Sequence, residues 1–328
     1  MSRRLSAAFN TYPMAFNTPG GGEIQLLAYK KHLGGLNVEV DLFNLWEPEF
    51  NKYDLMHFFS CIGGSYHFCS FVRQLGIPLV ITSSLWITRS NKHNYALEEI
   101  RAQLNLADRI VTNSDMESDT LADVLDLPRE RFSKVYNGVE DIFYDGRISG
   151  DVFRSHFGVG YRFVLNVGNI EPRKNQLTLA KAVKQVPQLK LIMIGHVRDK
   201  EYMEQVLKEG GDSAVYLGAL PNDSRLLRSA YAACDVFCLP STLETPGLAA
   251  LEAYASGAKI VLTSEGSTKE YFCDDVEYVV HDDVNSVRDA IIKTAEQPLA
   301  ADKRLIDFRW SNALKDLRKI YNEVVRGS

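Results

Sequence analysis

Short apolar runs alternate with helical spacings along most of the chain. In the first half, runs at 4–10, 37–43, 55–60, 78–83, 109–113 and 132–136 read as strands. Helical spacing falls between them at 23–34, 66–75, 91–106 and 116–125, with Ile24, Leu27, Ala28 and Lys31 on one face of the first. This rhythm predicts a parallel sheet with helices on both faces. Residues 137–160 break it: Asn137 and Gly138 make a turn, and Gly146, Gly150, Gly158 and Gly160 follow, so the domain linker is placed here. A second alternation then begins, with strands at 162–167, 189–194, 214–217, 236–239, 259–263 and 278–280. Helices are expected at 176–186, 200–209, 225–233, 247–255 and 286–295. The tail, 305–325, reads as one amphipathic helix with Trp310, Leu314, Leu317 and Tyr321 on one stripe. No strand follows it, so it must pack on an existing layer.

The fold class is therefore α/β, with two doubly wound units, and ligands in such sheets bind beyond the carboxyl ends of the strands. The length agrees, since 328 residues suit two domains. No apolar run approaches the roughly 20 residues that span a bilayer, and no secretory leader is expected. The net charge of −5 argues against a dedicated nucleic-acid partner. The five cysteines, Cys61, Cys69, Cys234, Cys238 and Cys273, form no CxxC and are odd in number. Neither a disulfide framework nor a zinc site is expected, and the compartment is read as the cytoplasm. Cys234 and Cys238 are expected to be small buried apolar residues.

Three segments carry candidate chemistry, each just after a strand. Pro19, Gly20, Gly21, Gly22 and Glu23 open the first helix. Glycines there let backbone N–H groups approach an anion. The run is not GxGxxG, and its plain alternative is a tight turn. The second segment runs from Gly168 and Asn169 to Arg173, Lys174 and Asn175. Two cations at a helix start oppose the helix dipole, and a diphosphate would remove the conflict. Two solvated surface cations are the alternative. The third runs from Pro240 to Glu252. Pro246 suits a first helical turn, and the amides of Gly247 and Leu248 are then free for an anion or a sugar oxygen. Glu244 lies in the loop before the helix, and Glu252 lies about two turns away from it, inside the helix. Carboxylates at these places suit paired hydroxyls. The alternative is a dipole-complementing Glu244 and a solvated Glu252.

The spacing of Glu244 and Glu252 resembles the EX7E motif of the family 4 retaining glycosyltransferases, and the stretch CDVFCLPSTLETPGLAALEAYASGAKIV resembles its context in that family. Gly20–Glu23 resembles the family's GGxE loop, Gly168–Asn175 its basic loop, Asn137, Gly138 and Val139 the NGV before the linker, and FRWSNALKDLRKIY its C-terminal helix. The resemblance implies the GT-B fold: two Rossmann-like domains facing a cleft. An acceptor-side domain would span 1–145, a nucleotide-sugar domain 146–304, and the helix 305–328 would pack back on the first. It also implies roles. Arg173 and Lys174 would hold the donor diphosphate, and Glu252 the ribose hydroxyls. Glu244 would face the donor sugar, with Gly247 and Leu248 on phosphate or sugar. Gly21 and Gly22 would reach the diphosphate from the other domain, Asn169 would stand in the basic loop, and Leu220 would lie near the nucleobase. Neither metal nor other cofactor is implied.

Three departures stand out. Asn169 replaces the arginine often found after the glycine. Pro246 replaces an aromatic. Ser84 stands where the family often places a histidine, and His57 and His67 are not clear replacements. The expected reaction is transfer of a hexose-type sugar from a UDP- or GDP-sugar, with retention, to a glycan or lipid-linked oligosaccharide. The acceptor would lie around 11–22 and 85–95, where Arg89, Lys92 and His93 are basic. Peripheral contact with the inner face of a membrane is compatible with such an acceptor. The alternatives are an epimerase-like sugar-nucleotide enzyme and a catalytically idle nucleotide-sugar-binding subunit.

Overall fold

The computed structural model describes residues 3–17, 20–298 and 306–327; Pro19 of the glycine-rich run and Leu305 of the expected terminal helix lie outside them. The chain divides into two compact units, Met1–Gly138 with Phe308–Ser328, and Val139–Asp307.

The first unit contains β1 (Leu5–Thr11), α1 (Gly21–Leu33), β2 (Val38–Leu42), β3 (Leu55–Phe59), α2 (Tyr66–Gln74), β4 (Leu79–Thr82), α3 (Leu97–Asn105), β5 (Arg109–Thr112), α4 (Asp115–Leu125) and β6 (Phe132–Lys134). Its six strands pair in parallel in the order β2-β1-β3-β4-β5-β6, with Phe58 opposite Ile81 at the centre. Every residue of β3 and β4 is buried, as expected of strands covered on both faces. The helix expected over 91–106 begins only at Leu97. Lys92–Asn94 form a separate 3-10 turn, and the Asn91 side chain accepts the Thr88 N–H at 2.7 Å, satisfying the backbone locally instead of extending a helix.

The second unit contains α5 (Asp151–Phe157), β7 (Phe163–Val167), α6 (Gln176–Lys184), β8 (Lys190–Ile194), α7 (Lys200–Gly210), β9 (Ala214–Tyr216), α8 (Arg225–Ala233), β10 (Val236–Leu239), α9 (Leu248–Ala255), β11 (Ile260–Thr263), α10 (Thr268–Phe272), β12 (Glu277–Val279) and α11 (Val284–Glu296). Its order, β12-β11-β10-β7-β8-β9, is the six-stranded doubly wound order of dinucleotide-binding domains. The order reverses between β7 and β10, and this is where such sheets open a crevice.

Packing sets the division at Gly138 and Val139 rather than at the expected 145. A Cβ on Gly138 would lie 2.6 Å from the Trp310 ring, so Gly138 is pressed against the first unit. Phe143, five residues on, is buried against Tyr231 of the second unit with ring centroids 6.0 Å apart. The expected linker also contains α5, which is docked by Ser229 Oγ accepting the Phe153 N–H and by Arg154 donating to the Ala233 carbonyl.

The chain returns to the first unit at Phe308 and ends in α12 (Trp310–Arg326). Its apolar stripe buries Trp310, Leu314, Leu317 and Tyr321, and it packs against α1. The Tyr321 hydroxyl hydrogen-bonds His57 Nδ1 at 2.5 Å, and His57 Nε2 meets the Thr82 hydroxyl at 2.7 Å. Burial pushes the His57 pKa down to about 3, so it is a neutral core residue. Arg318 donates to the Leu36 and Arg3 carbonyls. All five cysteines are free; Cys61, Cys69 and Cys238 are buried, whereas Cys234 is only half-buried. Among the described residues no helix is long and apolar enough to cross a membrane.

The Trp310 ring meets Tyr29 edge-on at 5.7 Å and is almost wholly buried. Trp310→Ala is expected to destabilise the first unit by about 3–5 kcal/mol, the range for deleting a buried aromatic, as read from denaturant midpoints.

Candidate functional site

The reversal in the second sheet brings together the loops after β7 and β10. After β7 the chain turns at Gly168, passes Asn169, and forms a 3-10 turn over Pro172–Lys174. Asn175 then adopts the left-handed conformation and opens α6. Its side-chain amide donates to the carbonyls of Pro240 and His281, tying this corner to the neighbouring loops. Arg173 and Lys174 therefore stand just ahead of α6 rather than in its first turn.

The loop after β10 is pinned on both sides. The Thr242 N–H donates to the Arg173 carbonyl at 2.9 Å. On the other side Glu244 N–H donates to the Glu265 carbonyl and its own carbonyl accepts from Ser267. Gly266 makes that approach possible: it has φ +89°, and a Cβ there would lie 2.1 Å from the Glu244 carbonyl oxygen. Glu244 is 4% exposed, so it is not a solvated surface carboxylate. Its Oε1 lies 2.5 Å from Lys174 Nζ and 3.8 Å from Arg173 Nη1. Burial alone would raise its pKa, but the Lys174 and Arg173 cations overcome this and hold it below the ordinary carboxylate value. Pro246 does not enter the first helical turn. Gly247, with φ +88°, is the N-cap and α9 begins at Leu248. The Ala250 and Leu251 N–H groups both donate to the Gly247 carbonyl, whereas the Leu248 amide has no acceptor within the helix. A Cβ on Gly247 would stand 2.9 Å from Glu244 Oε2.

Two residues that sequence reasoning did not single out complete the basic corner. Glu171 bridges Arg173 Nη2 at 3.1 Å and Arg198 Nη1 at 3.3 Å. Arg198, in the loop after β8, also donates from Nε to the Asn169 side-chain oxygen at 3.0 Å. The corner thus gathers Arg173, Lys174 and Arg198 against Glu171 and Glu244, an excess of positive charge. Position after a strand was the one available signal for Arg198.

Glu252 projects from α9 and is 6% exposed, so it is not solvated either. Its Oε2 accepts from the Tyr231 hydroxyl at 2.8 Å. Burial raises its pKa to about 7, Tyr231 and the nearby Asn222 amide opposing the rise and Glu140 adding to it. Leu220 lies half-buried in the same loop after β9 as Asn222. Asn222 and Tyr231 carry no motif, and Tyr231 is revealed by its hydrogen bond from α8 to Glu252 on α9.

Gly21 and Gly22 lie in the first unit, where Gly20 caps α1 and its N–H donates to Glu23 at 2.6 Å. A Cβ on Gly22 would lie 3.5 Å from Ser84 Oγ, so the glycine-rich turn and Ser84 are neighbours. Ser84 itself has φ +47°. His67 is exposed. Arg89 is paired with Asp123 through two hydrogen bonds of 2.7 and 2.6 Å, and Arg89, Lys92 and His93 are all exposed.

Two predictions follow from these charges. Lys174→Met strands a buried carboxylate and should destabilise the protein by about 3 kcal/mol; adding Glu244→Gln should restore most of it in a double-mutant cycle. Glu252 keeps a proton in the folded protein that the unfolded chain has released, between its ordinary value of 4.5 and about 7. Stability therefore falls as pH rises through that window. Glu252→Gln removes this slope: in urea titrations it should match the wild type near pH 4 and exceed it by about 3 kcal/mol at pH 8.

Comparison with known proteins bears on what such a corner serves. Residues 151–308 match the family model described as Glycosyl transferases group 1, and residues 26–141 that described as Glycosyltransferase Family 4. A D-inositol 3-phosphate glycosyltransferase of Mycolicibacterium smegmatis is 26% identical over 234 residues, 67% of this chain and 54% of the relative. Sulfoquinovosyl transferase SQD2 of Arabidopsis thaliana is 35% identical over 114 residues, 35% of this chain and 22% of the relative. The chain spans about half the length of the curated relatives it matches. Sucrose-phosphate synthase of Thermosynechococcus elongatus superposes with a TM-score of 0.79 at 18% identity, covering 99% of this chain and 100% of that one. Anabaena HepE in complex with UDP and glucose gives 0.73 at 18% identity, covering 98% and 99%. These likenesses show the GT-B fold. With one family model lying over each unit, the chain belongs to the family 4 glycosyltransferases.

Proposed function

We propose that this protein moves a hexose-type sugar from a nucleoside-diphosphate sugar, UDP- or GDP-linked, to a glycan or lipid-linked oligosaccharide, with retention of anomeric configuration. The observation that carries the reading is the buried pairing of Glu244 with Lys174 and Arg173 at the point where the second sheet reverses. It assembles cations for a diphosphate and a fixed carboxylate for a sugar on one set of loops. That the similar structure of HepE was solved with UDP, and also with UDP-glucose, supports a nucleotide-sugar donor.

In this reading Arg173 and Lys174, with the N-terminus of α9, hold the diphosphate through Gly247 and Leu248. Asn169 shapes the corner through Arg198, Leu220 borders the base, Glu252 accepts from the ribose hydroxyls, and Glu244 accepts from the donor sugar. Gly21 and Gly22 serve the diphosphate from the first unit. The bond from the anomeric carbon to the phosphate oxygen breaks, and the acceptor oxygen bonds to that carbon from the same face. The acceptor proton goes to the departing phosphate. Negative charge grows on the leaving diphosphate, and preorganised cations stabilise it most at that moment. Glu244 serves as an acceptor of hydrogen bonds rather than a nucleophile, because its carboxylate is engaged by Lys174. No metal ion has a role in this scheme. The acceptor is assigned to the first unit, around 11–22 and 85–95, and the work to the cytoplasm, at the inner face of the membrane when the acceptor is lipid-linked.

Ser84 favours one second reading. A serine there cannot carry a proton as an imidazole does, so a subunit that binds nucleotide sugar without turnover is the competing function. Intact donor binding with no product across an acceptor panel would select it.

Calorimetry with UDP, GDP and ADP tests the main reading. One of them should bind, and Lys174→Ala or Glu252→Ala should weaken it about tenfold or more, the worth of a hydrogen bond to a charged group. Unchanged affinity in folded variants would overturn the assignment.

A further inference from the structure

We propose that Tyr231 is a positioning residue for the nucleoside diphosphate: its buried hydroxyl fixes the Glu252 carboxylate so that the remaining acceptor positions face the ribose diol. The proposal rests on the reading of Glu252 given above. Tyr231 stands on α8 with its ring between Phe143 at 6.0 Å and Phe237 at 5.8 Å, both buried. That packing leaves the ring one place to lie, and from it the hydroxyl donates to Glu252 Oε2 at 2.8 Å. The Asn222 side chain, in the exposed loop after β9, also favours the ionised carboxylate. Glu252 is thus held by a residue of α8 while it projects from α9.

The two carboxylates of the motif are satisfied differently. Glu244 has cations beside it. Glu252 instead accepts from the neutral Tyr231 hydroxyl of α8, and among the described residues it has no ion pair with a Lys or Arg side chain. A carboxylate has about four acceptor positions, and a vicinal diol uses two. One fixed donor from the protein leaves enough for the diol and sets the plane in which it must bind. The hydroxyl also opposes the desolvation of the charged form, and Tyr231 stays a donor because burial raises its own pKa well above 10. Ionised Glu252 accepts from both ribose hydroxyls, whereas protonated Glu252 loses acceptor capacity.

The test is UDP binding by calorimetry from pH 5.5 to 9, with GDP and ADP as parallel probes, for the wild type, Tyr231→Phe and Glu252→Gln. Glu252→Gln should weaken binding about tenfold or more at pH 8. Tyr231→Phe should move the midpoint of the pH dependence up by about one unit, giving roughly a tenfold loss at pH 7 that shrinks toward pH 9. Site-specific 3-fluorotyrosine at 231, a stronger donor of the same shape, should move the midpoint down, and it tests the proposal even if the phenylalanine variant does not fold. A loss that is equal at every pH, or no loss, with Glu252→Gln still impaired, overturns the positioning role alone. Wild-type affinity in Glu252→Gln overturns the ribose assignment and this proposal with it.

Discussion

A carboxylate taken out of water must be paired, and the functional corner of the second unit is organised around that demand. Glu244 lies at the end of a loop that could not hold it unaided. Lys174 reaches it from the loop after β7, and Arg173 stands behind Lys174. The backbone of the same residue is stitched to the loop after β11. One side chain and its two peptide groups therefore bind three loops into a single body. Without its partners the burial would cost several kcal/mol. With them, the charge becomes a reason for the loops to stay where they are. The glycines around it follow from the same crowding: Gly247 passes under the carboxylate and Gly266 against the carbonyl, where a side chain has no room.

The second carboxylate of the motif experiences the opposite environment. Glu252 is as deeply buried, but its hydrogen-bond partner is a neutral phenol, so desolvation dominates and its proton leaves only near neutrality. Two glutamates eight positions apart in the chain, one in the loop and one on α9, are thereby given different characters by their neighbours alone, a pattern in which environment assigns roles to chemically equal groups. Under the proposed function the held anion suits a fixed sugar contact and the more weakly ionised one a diol that completes its shell on binding.

The first unit shows restraint of another kind. Its centre is locked by α12, whose Tyr321 finishes the hydrogen bonding of His57. That histidine, held neutral by burial, serves cohesion, and the glycine-rich turn of α1 lies beside Ser84. A left-handed serine after a central strand is a strained choice, and strain of this sort collects where a loop must present a group at a fixed place.

Much of this was legible in the chain. Alternating apolar runs predict the twelve strands and their parallel order of appearance, because buried strands and amphipathic helices have distinct periods. The seven-residue interval between Glu244 and Glu252, and the cations after β7, mark the corner because both follow strand ends. Other features needed the packed molecule. The true start of the second unit depends on Gly138 meeting Trp310, a contact across most of the sequence, and α5 hides in a glycine-dotted stretch whose helical length is short. Whether Glu244 and Glu252 are buried, what pairs with each, and that Arg198 and Tyr231 join them are decided by side chains distant in sequence. The sequence alone determined the elements, their class and the residues with chemical means, since periodicity and local turn chemistry are short-range properties. The tertiary structure decided charge state and partnership, because desolvation and pairing depend on neighbours that only the fold brings within a few ångströms.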